Sequence, residues 1–202
     1  MLNTHDYGSP RNQKFAKAAG NAKASEAVLL RDGTQVSIRP IRPDDASGLQ
    51  ALFNRLSQQS IFFRFLGFRK VLPDQEAKRL AEVDYQEKMA LVATTKRNGR
   101  ENIIAVARYD DLSPAEPETA EVAVVVEDQY QGHGLGFHLL KNLAAYARPH
   151  NIHAFAALVH SENTRILRII KQSGLPVERK IFDQGVWEIR VNLRNIPEEL
   201  EG

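Results

Sequence analysis

The residues best suited to chemistry lie between Val124 and Gly136. There Val-Val-Val-Glu-Asp-Gln-Tyr-Gln-Gly-His-Gly-Leu-Gly runs from an apolar strand through a glycine-rich turn into a helix. Such a turn lines up backbone N–H groups beside the positive end of a helix dipole, where phosphates bind without any lysine. Glycines at 132, 134 and 136 would let the backbone approach a pyrophosphate closely. A tight turn with no ligand is the plainer alternative. A P-loop is excluded, because Gly136 is followed by Phe137-His138 where Lys-Ser/Thr is needed. A dinucleotide fingerprint is excluded too, because these glycines alternate at every second position.

Upstream, Glu121 is the sole acid on its strand before Glu127. In a partly buried strand its carboxylate could accept a proton; the alternative is a strand-end group facing solvent. The histidines carry less. His133 lies in the glycine loop and His160 just before Asn163, where it could act as an auxiliary base or cap the following helix. His138, His150 and His153 read as ordinary surface or core residues. No His pair has the carboxylate partner and spacing of a metal site, so no metal is expected.

These residues need a scaffold, and the apolar pattern supplies one. Leu29 to Thr34 reads as a strand entering an Asp-Gly turn, with Gln35 to Arg39 returning. An Asp of Pro43-Asp44-Asp45 is the expected N-cap of a helix carrying Leu49, Leu52, Phe53 and Leu56 on one stripe. Ser60 to Leu66 reads as a short helix whose three Phe are mostly core, with one or two free to line an entrance. Pro73 opens a third helix reaching about Val83. Strands follow at Met89–Thr94, Ile103–Tyr109 and Ala120–Glu127. The last is almost wholly apolar, as expected of a strand covered on both faces. Next come a helix over Gly134–Arg148, a strand over Ala154–Val159, and a helix over Asn163–Gln172 closed by Gly174. A hairpin of Ile181–Asp183 with Val186–Leu193 ends the pattern. The order describes a mixed α/β sheet of neither Rossmann nor flavodoxin type.

Composition sets the frame. The chain has 202 residues, 43% hydrophobic and 26% charged, with no Cys, which excludes disulfide scaffolds, thiolate metal sites and cysteine nucleophiles. Lys+Arg 27 against Asp+Glu 25 leaves +2, too balanced for a nucleic-acid surface. The Arg64–Lys70 patch with interleaved aromatics reads as a solvated face or a lip over an anionic ligand. No apolar run reaches a membrane span and no signal peptide is visible, so a cytoplasmic location is expected, with neither membrane nor nucleic acid as partner. Residues 1–26 read as a flexible arm, 27–196 as one domain and 197–202 as a tail.

Gln131-x-x-Gly134-x-Gly136, with Val126 five residues before the Gln, resembles the acetyl-CoA signature of the GNAT N-acetyltransferases. The resemblance runs from about Val28 to Leu193. Arg39-Pro-Ile-Arg-Pro-Asp-Asp45 resembles the family's first strand and helix start, and Ser161 through Gly174 its later cofactor-side helix. More narrowly, Leu30–Gly33, Arg64-Phe65, Ala107–Tyr109 and Ala120–Val126 are similar to the catalytic domain of bacterial protein lysine acetyltransferases. In those proteins the domain is fused to a larger acyl-CoA-synthetase-like or cyclic-nucleotide-binding module, for which this chain has no room. The resemblance implies a GNAT fold with a mostly antiparallel sheet and acetyl-CoA as co-substrate, without a metal. It implies that backbone groups of Val124 and Val126 hold the pantetheine arm. The amides of Gln131, Gly132, His133, Gly134, Leu135 and Gly136 would hold the pyrophosphate, and Asn163 would touch pantetheine or adenosine. Glu121 falls at the general base. The tyrosine that protonates the leaving sulfur in many relatives is replaced by Ile170. The implied acceptor is a primary amine, a protein lysine first. A small amine, or a CoA-binding regulatory module without turnover, is the alternative, and the oligomeric state, homodimer included, is open.

Overall fold

The computed structural model describes residues 25–97, 99–111, 116 and 118–194. Of the expected arm over 1–26, residues 1–24 lie outside the described residues, as do the tail and most of the Pro-containing loop, while Glu26 already opens the first strand. Glu26–Leu29 (β1) and Gln35–Pro40 (β2) form the opening hairpin. Three helices follow, Ala46–Phe53 (α1), Gln58–Phe65 (α2) and Asp74–Ala81 (α3). Then come Lys88–Arg97 (β3), Arg100–Asp111 (β4), Thr119–Val126 (β5), Leu135–Ala147 (α4), Ala154–His160 (β6), Thr164–Gln172 (α5), Val177–Asp183 (β7) and Val186–Asn192 (β8). The strands form one eight-stranded sheet in the order β1-β2-β3-β4-β5-β6-β8-β7, antiparallel except where β5 meets β6.

The α1 stripe buries Leu49, Leu52 and Phe53, as its spacing predicts. Asp45 does not cap the helix with its side chain. Its carboxylate instead takes the Arg39 guanidinium in a fork (2.7 and 2.8 Å) and the Arg42 N–H at 2.7 Å. The same guanidinium donates to Glu101 at 3.0 Å, so α1 is clamped to β2 and β4 by one buried cation. The contact with Asp45 outweighs burial and raises the Arg39 pKa further, so it stays charged. At the other end of the chain, β7 starts at Val177, earlier than Ile181.

The two faces of the sheet have different covers. Arg108 on β4 donates to the Leu80 carbonyl of α3, and Asp110, two residues on, lies opposite Glu121 of β5. Helices α1 to α3 therefore lie on the Glu121 face. Val126 faces α4: a Cβ built on Gly136 would stand 3.8 Å from its side chain. The main core fills both layers, and a separate small cluster of Val159, Ile170 and Ile189 lies under α5.

Candidate active site

The site arises where two neighbouring strands part. β5 and β6 pair only from Thr119↔Ala154 to Glu121↔Ala156, and beyond that β5 keeps β4 alone. Sequence apolarity suggested a β5 covered on both faces; instead Val122 to Val126 are half-buried, because they line the opening. Which backbone groups face the opening follows from register. Glu127 N–H donates to the Ile104 carbonyl, so by antiparallel alternation residues 121, 123, 125 and 127 spend their amides on β4. The backbone groups of Val124 and Val126 point the other way, into the gap, while the Val122 N–H closes the last pair with β6. The Val126 carbonyl is already taken by Gln131 Nε2 at 2.7 Å, leaving its N–H and both groups of Val124 for a ligand.

At the wide end of the gap lies the glycine loop. Gly132 and Gly134 have φ of +84° and +94°, left-handed values that side chains with a Cβ rarely adopt, and Gly134 is the N-cap of α4. Gly136 is a glycine for another reason. An added Cβ would come within 3.0 Å of Ile169 Cδ1, so its absence lets α5 pack against the start of α4. The loop is tied on two sides. Asp128 accepts from the Ser57 hydroxyl (2.6 Å), the Ser57 N–H (2.9 Å) and the Ser60 hydroxyl (2.8 Å), and Gln131 Nε2 also reaches Ser60 at 3.0 Å. Burial pushes the Asp128 carboxyl up, but these hydrogen bonds outweigh it and hold the group below its ordinary value. On the other side the Arg31 N–H donates to the His133 carbonyl at 3.3 Å, and His133 Nδ1 lies 3.8 Å from Asp32.

A cleft of about 380 Å³ runs from the loop along Val124 to Val126. Gln131, Gly132, His133, Gly134 and Gly136 line it. Leu135 is buried and would offer only its amide. Arg31, Arg165 and Arg168 line it as well. Arg165 and Arg168 share α5 while Arg31 comes from the opening hairpin, far away in sequence, and these arginines gave no signal there. Asn163 lines the same cleft, while its side-chain oxygen caps α5 by accepting the Ile166 N–H. Phe63 and Arg64 stand at the inner end, so one of the three Phe does line an entrance, whereas Phe65 packs on Phe53. Burial, and then the charge of Arg108, push the Arg64 guanidinium down to about 10; it is still a cation at neutral pH.

Glu121 occupies the last paired position before the gap, with an exposed side chain rather than a partly buried one. Its charge acts on Arg64, and Asp110 opposite is held in the fork of Arg108 at 3.2 and 3.3 Å. His160 sits against the rings of Phe62 and Phe63, and its Nδ1 accepts the Glu162 N–H, so it caps a turn. Ile170 is buried in the cluster under α5. Among the described residues no group of His, Asp and Glu is arranged to hold a metal ion, and no helix is long and apolar enough to cross a membrane.

Residues 35–176 match the Acetyltransferase (GNAT) domain family. The chain belongs to the GNAT acetyltransferase family. It is an acyl-CoA-dependent N-acetyltransferase with acetyl-CoA as co-substrate. An acetyltransferase of Pseudomonas aeruginosa is 35% identical over 138 residues, covering 68% of this chain and 72% of that protein. Acetyltransferase Pat of Mycolicibacterium smegmatis is 31% identical over 149 residues, covering 73% of this chain but 43% of Pat, so the chain spans less than half of that relative's length. The crystal structure of the GNAT domain of S. lividans PAT superposes with a TM-score of 0.73 at 30% identity, covering 83% of this chain and 96% of that domain. In this GNAT domain the gap between β5 and β6 and the loop before α4 form one continuous groove.

Proposed function

We propose that this GNAT domain transfers the acetyl group of acetyl-CoA to a lysine side chain of another protein, with Glu121 as general base. The observation that carries the reading is the alignment along β5. Free backbone groups at Val124 and Val126 lead from the glycine loop to a carboxylate that makes no hydrogen bond to any described residue. On this reading the loop amides and the arginines around them hold the phosphates, and β5 holds the pantetheine arm as an added strand. A lysine ammonium, pKa ~10.4, must lose a proton before it can attack. Glu121 takes that proton, directly or through water. The nitrogen then forms its bond to the thioester carbon, the C–S bond breaks, and the CoA sulfur leaves as a thiolate. The attacking nitrogen gives up its second proton to water as the amide forms, and the sulfur, with a thiol pKa of ~8.5, takes one back from water, so no tyrosine is needed at position 170. The similarity to Pat and PAT supports a protein acceptor, and so does the exposure of Glu121, which a side chain on a second protein can reach.

The test is thiol release from acetyl-CoA in the presence of protein acceptors or small amines. Fast release with protein acceptors alone supports the reading; release with small amines alone replaces the acceptor. Glu121→Gln should lower turnover by about 10²–10⁴-fold at pH 7 with acetyl-CoA affinity unchanged, and the deficit should narrow as pH rises. Near-normal turnover in that variant would pass the proton to another group, His160 first.

A further inference from the structure

Behind the groove lies a second space. A cavity of about 160 Å³ adjoins the cleft and shares Phe63, Arg64, Val124 and Asn163 with it. It begins at Val122 and Ala123, the inner end of the gap, and continues past the point where the strands have closed. Phe155 and Val191 line its far side, and Phe155 pairs with Ala120, one residue before Glu121. Its walls on the helix side are Leu140 and Ala144 of α4 and Ile166 and Ile170 of α5. Most of its lining is apolar. Because Val122 and Val124 turn their side chains toward α4, the cavity lies on the sheet face opposite Glu121.

The position matters more than the size. Along β5, Val126 to Val122 spans about 13 Å at ~3.3 Å per residue. A pantetheine arm that enters at the loop and runs along these residues brings its thioester to the inner end of the gap. The amine approaches from the Glu121 face, so the acyl tail is directed to the opposite face, where the cavity opens. An acetyl group is one methyl long and leaves the far part, beside Phe155 and Ala144, unfilled. Ile170 makes that wall apolar where a tyrosine would have placed a hydroxyl.

We propose that this cavity is an acyl-chain pocket, and that the enzyme accepts unbranched acyl-CoA thioesters longer than acetyl, of about three to five carbons. The inference rests on the reading that the groove holds a CoA thioester. Each methylene moved from water into such a pocket tightens binding by about fourfold, so butyryl-CoA, two methylenes longer, should bind the protein about fifteenfold more tightly than acetyl-CoA. Calorimetric titration with CoA, acetyl-CoA and butyryl-CoA reads this without knowledge of the acceptor. Ala144→Leu fills the pocket from α4 and should erase the butyryl preference while acetyl-CoA affinity stays within about twofold. If that variant does not fold by circular dichroism, Ala157→Leu on β6 makes the same comparison. Butyryl-CoA binding no better than acetyl-CoA in the wild-type protein overturns the acyl pocket and leaves the groove assignment standing. Failure of all three ligands to bind overturns both.

Discussion

At the scale of single residues, Asp128 holds more of the site together than any residue the sequence singled out. It joins the end of β5 to the start of α2 through three hydrogen bonds, two of them from Ser57. Asp128→Asn should cost about 1 kcal/mol at pH 7, because the buried Ser60 hydroxyl and the exposed Ser57 donors lose a charged acceptor that solvent already screens. The folded pKa lies below the unfolded value of ~3.9. The contribution is therefore fully present above about pH 4 and disappears as pH falls through the folded pKa. Melting curves of wild type and variant should differ at pH 7 and draw together as pH falls through the folded pKa; a constant gap would assign the effect to shape rather than charge. Gly136 makes a second case. Gly136→Ala puts a methyl 3.0 Å from Ile169 Cδ1 and should destabilise by about 1–3 kcal/mol. Ile169→Val removes that methyl, so the double variant should recover much of the loss. Additive losses in a thermal-unfolding cycle would refute the packing explanation.

At the scale of elements, the start of α4 is the critical junction. Gly134 caps it with φ +94°, so Gly134→Val should strain the turn and weaken acetyl-CoA binding at least tenfold, measured by titration. Unchanged affinity would place the phosphates elsewhere. The sequence showed this junction clearly, because a strand, a glycine turn and an apolar helix stripe are all local signals. It showed α1 and α5 equally well. It did not show that β5 parts from β6 after Glu121, since the apolarity of Val122 to Val126 reports burial but not which neighbour provides it. The start of β7 was hidden for a related reason. Glu178, Arg179 and Lys180 form an outer strand exposed on both faces, so no alternation marks it. An Asp of Pro43-Asp44-Asp45 read as a cap because the triplet is a local signal, whereas the Arg39 clamp that takes the Asp45 carboxylate depends on the folded chain.

At the scale of the molecule, the sheet is two blades joined at one end. β6, β8 and β7 pair with the rest of the sheet at only three positions of β5 and β6; α5 packs on α4, His160 on Phe62 and Phe63, and Phe155 on Tyr109, and under α5 these strands carry a small core of their own. A ligand bound along β5 bridges the blades and should stabilise the fold by about 2.7 kcal/mol at a hundredfold excess over Kd. Acetyl-CoA should also slow amide exchange in β8, not only in the loop that touches phosphate; protection confined to the loop would mean that the blades do not communicate through the groove. The alternation along β5 sets a further condition. Odd positions carry the Glu121 carboxylate and hold β4, while Val124 and Val126 turn backbone groups toward the gap, so the two sets are kept in phase by a repeat of two. Deleting one residue between Glu121 and Val126 would throw the carboxylate and the free amides out of phase at once, whereas deleting two would preserve the phase and shorten the reach by about 7 Å. Natural length variation in this strand should accordingly come in even steps.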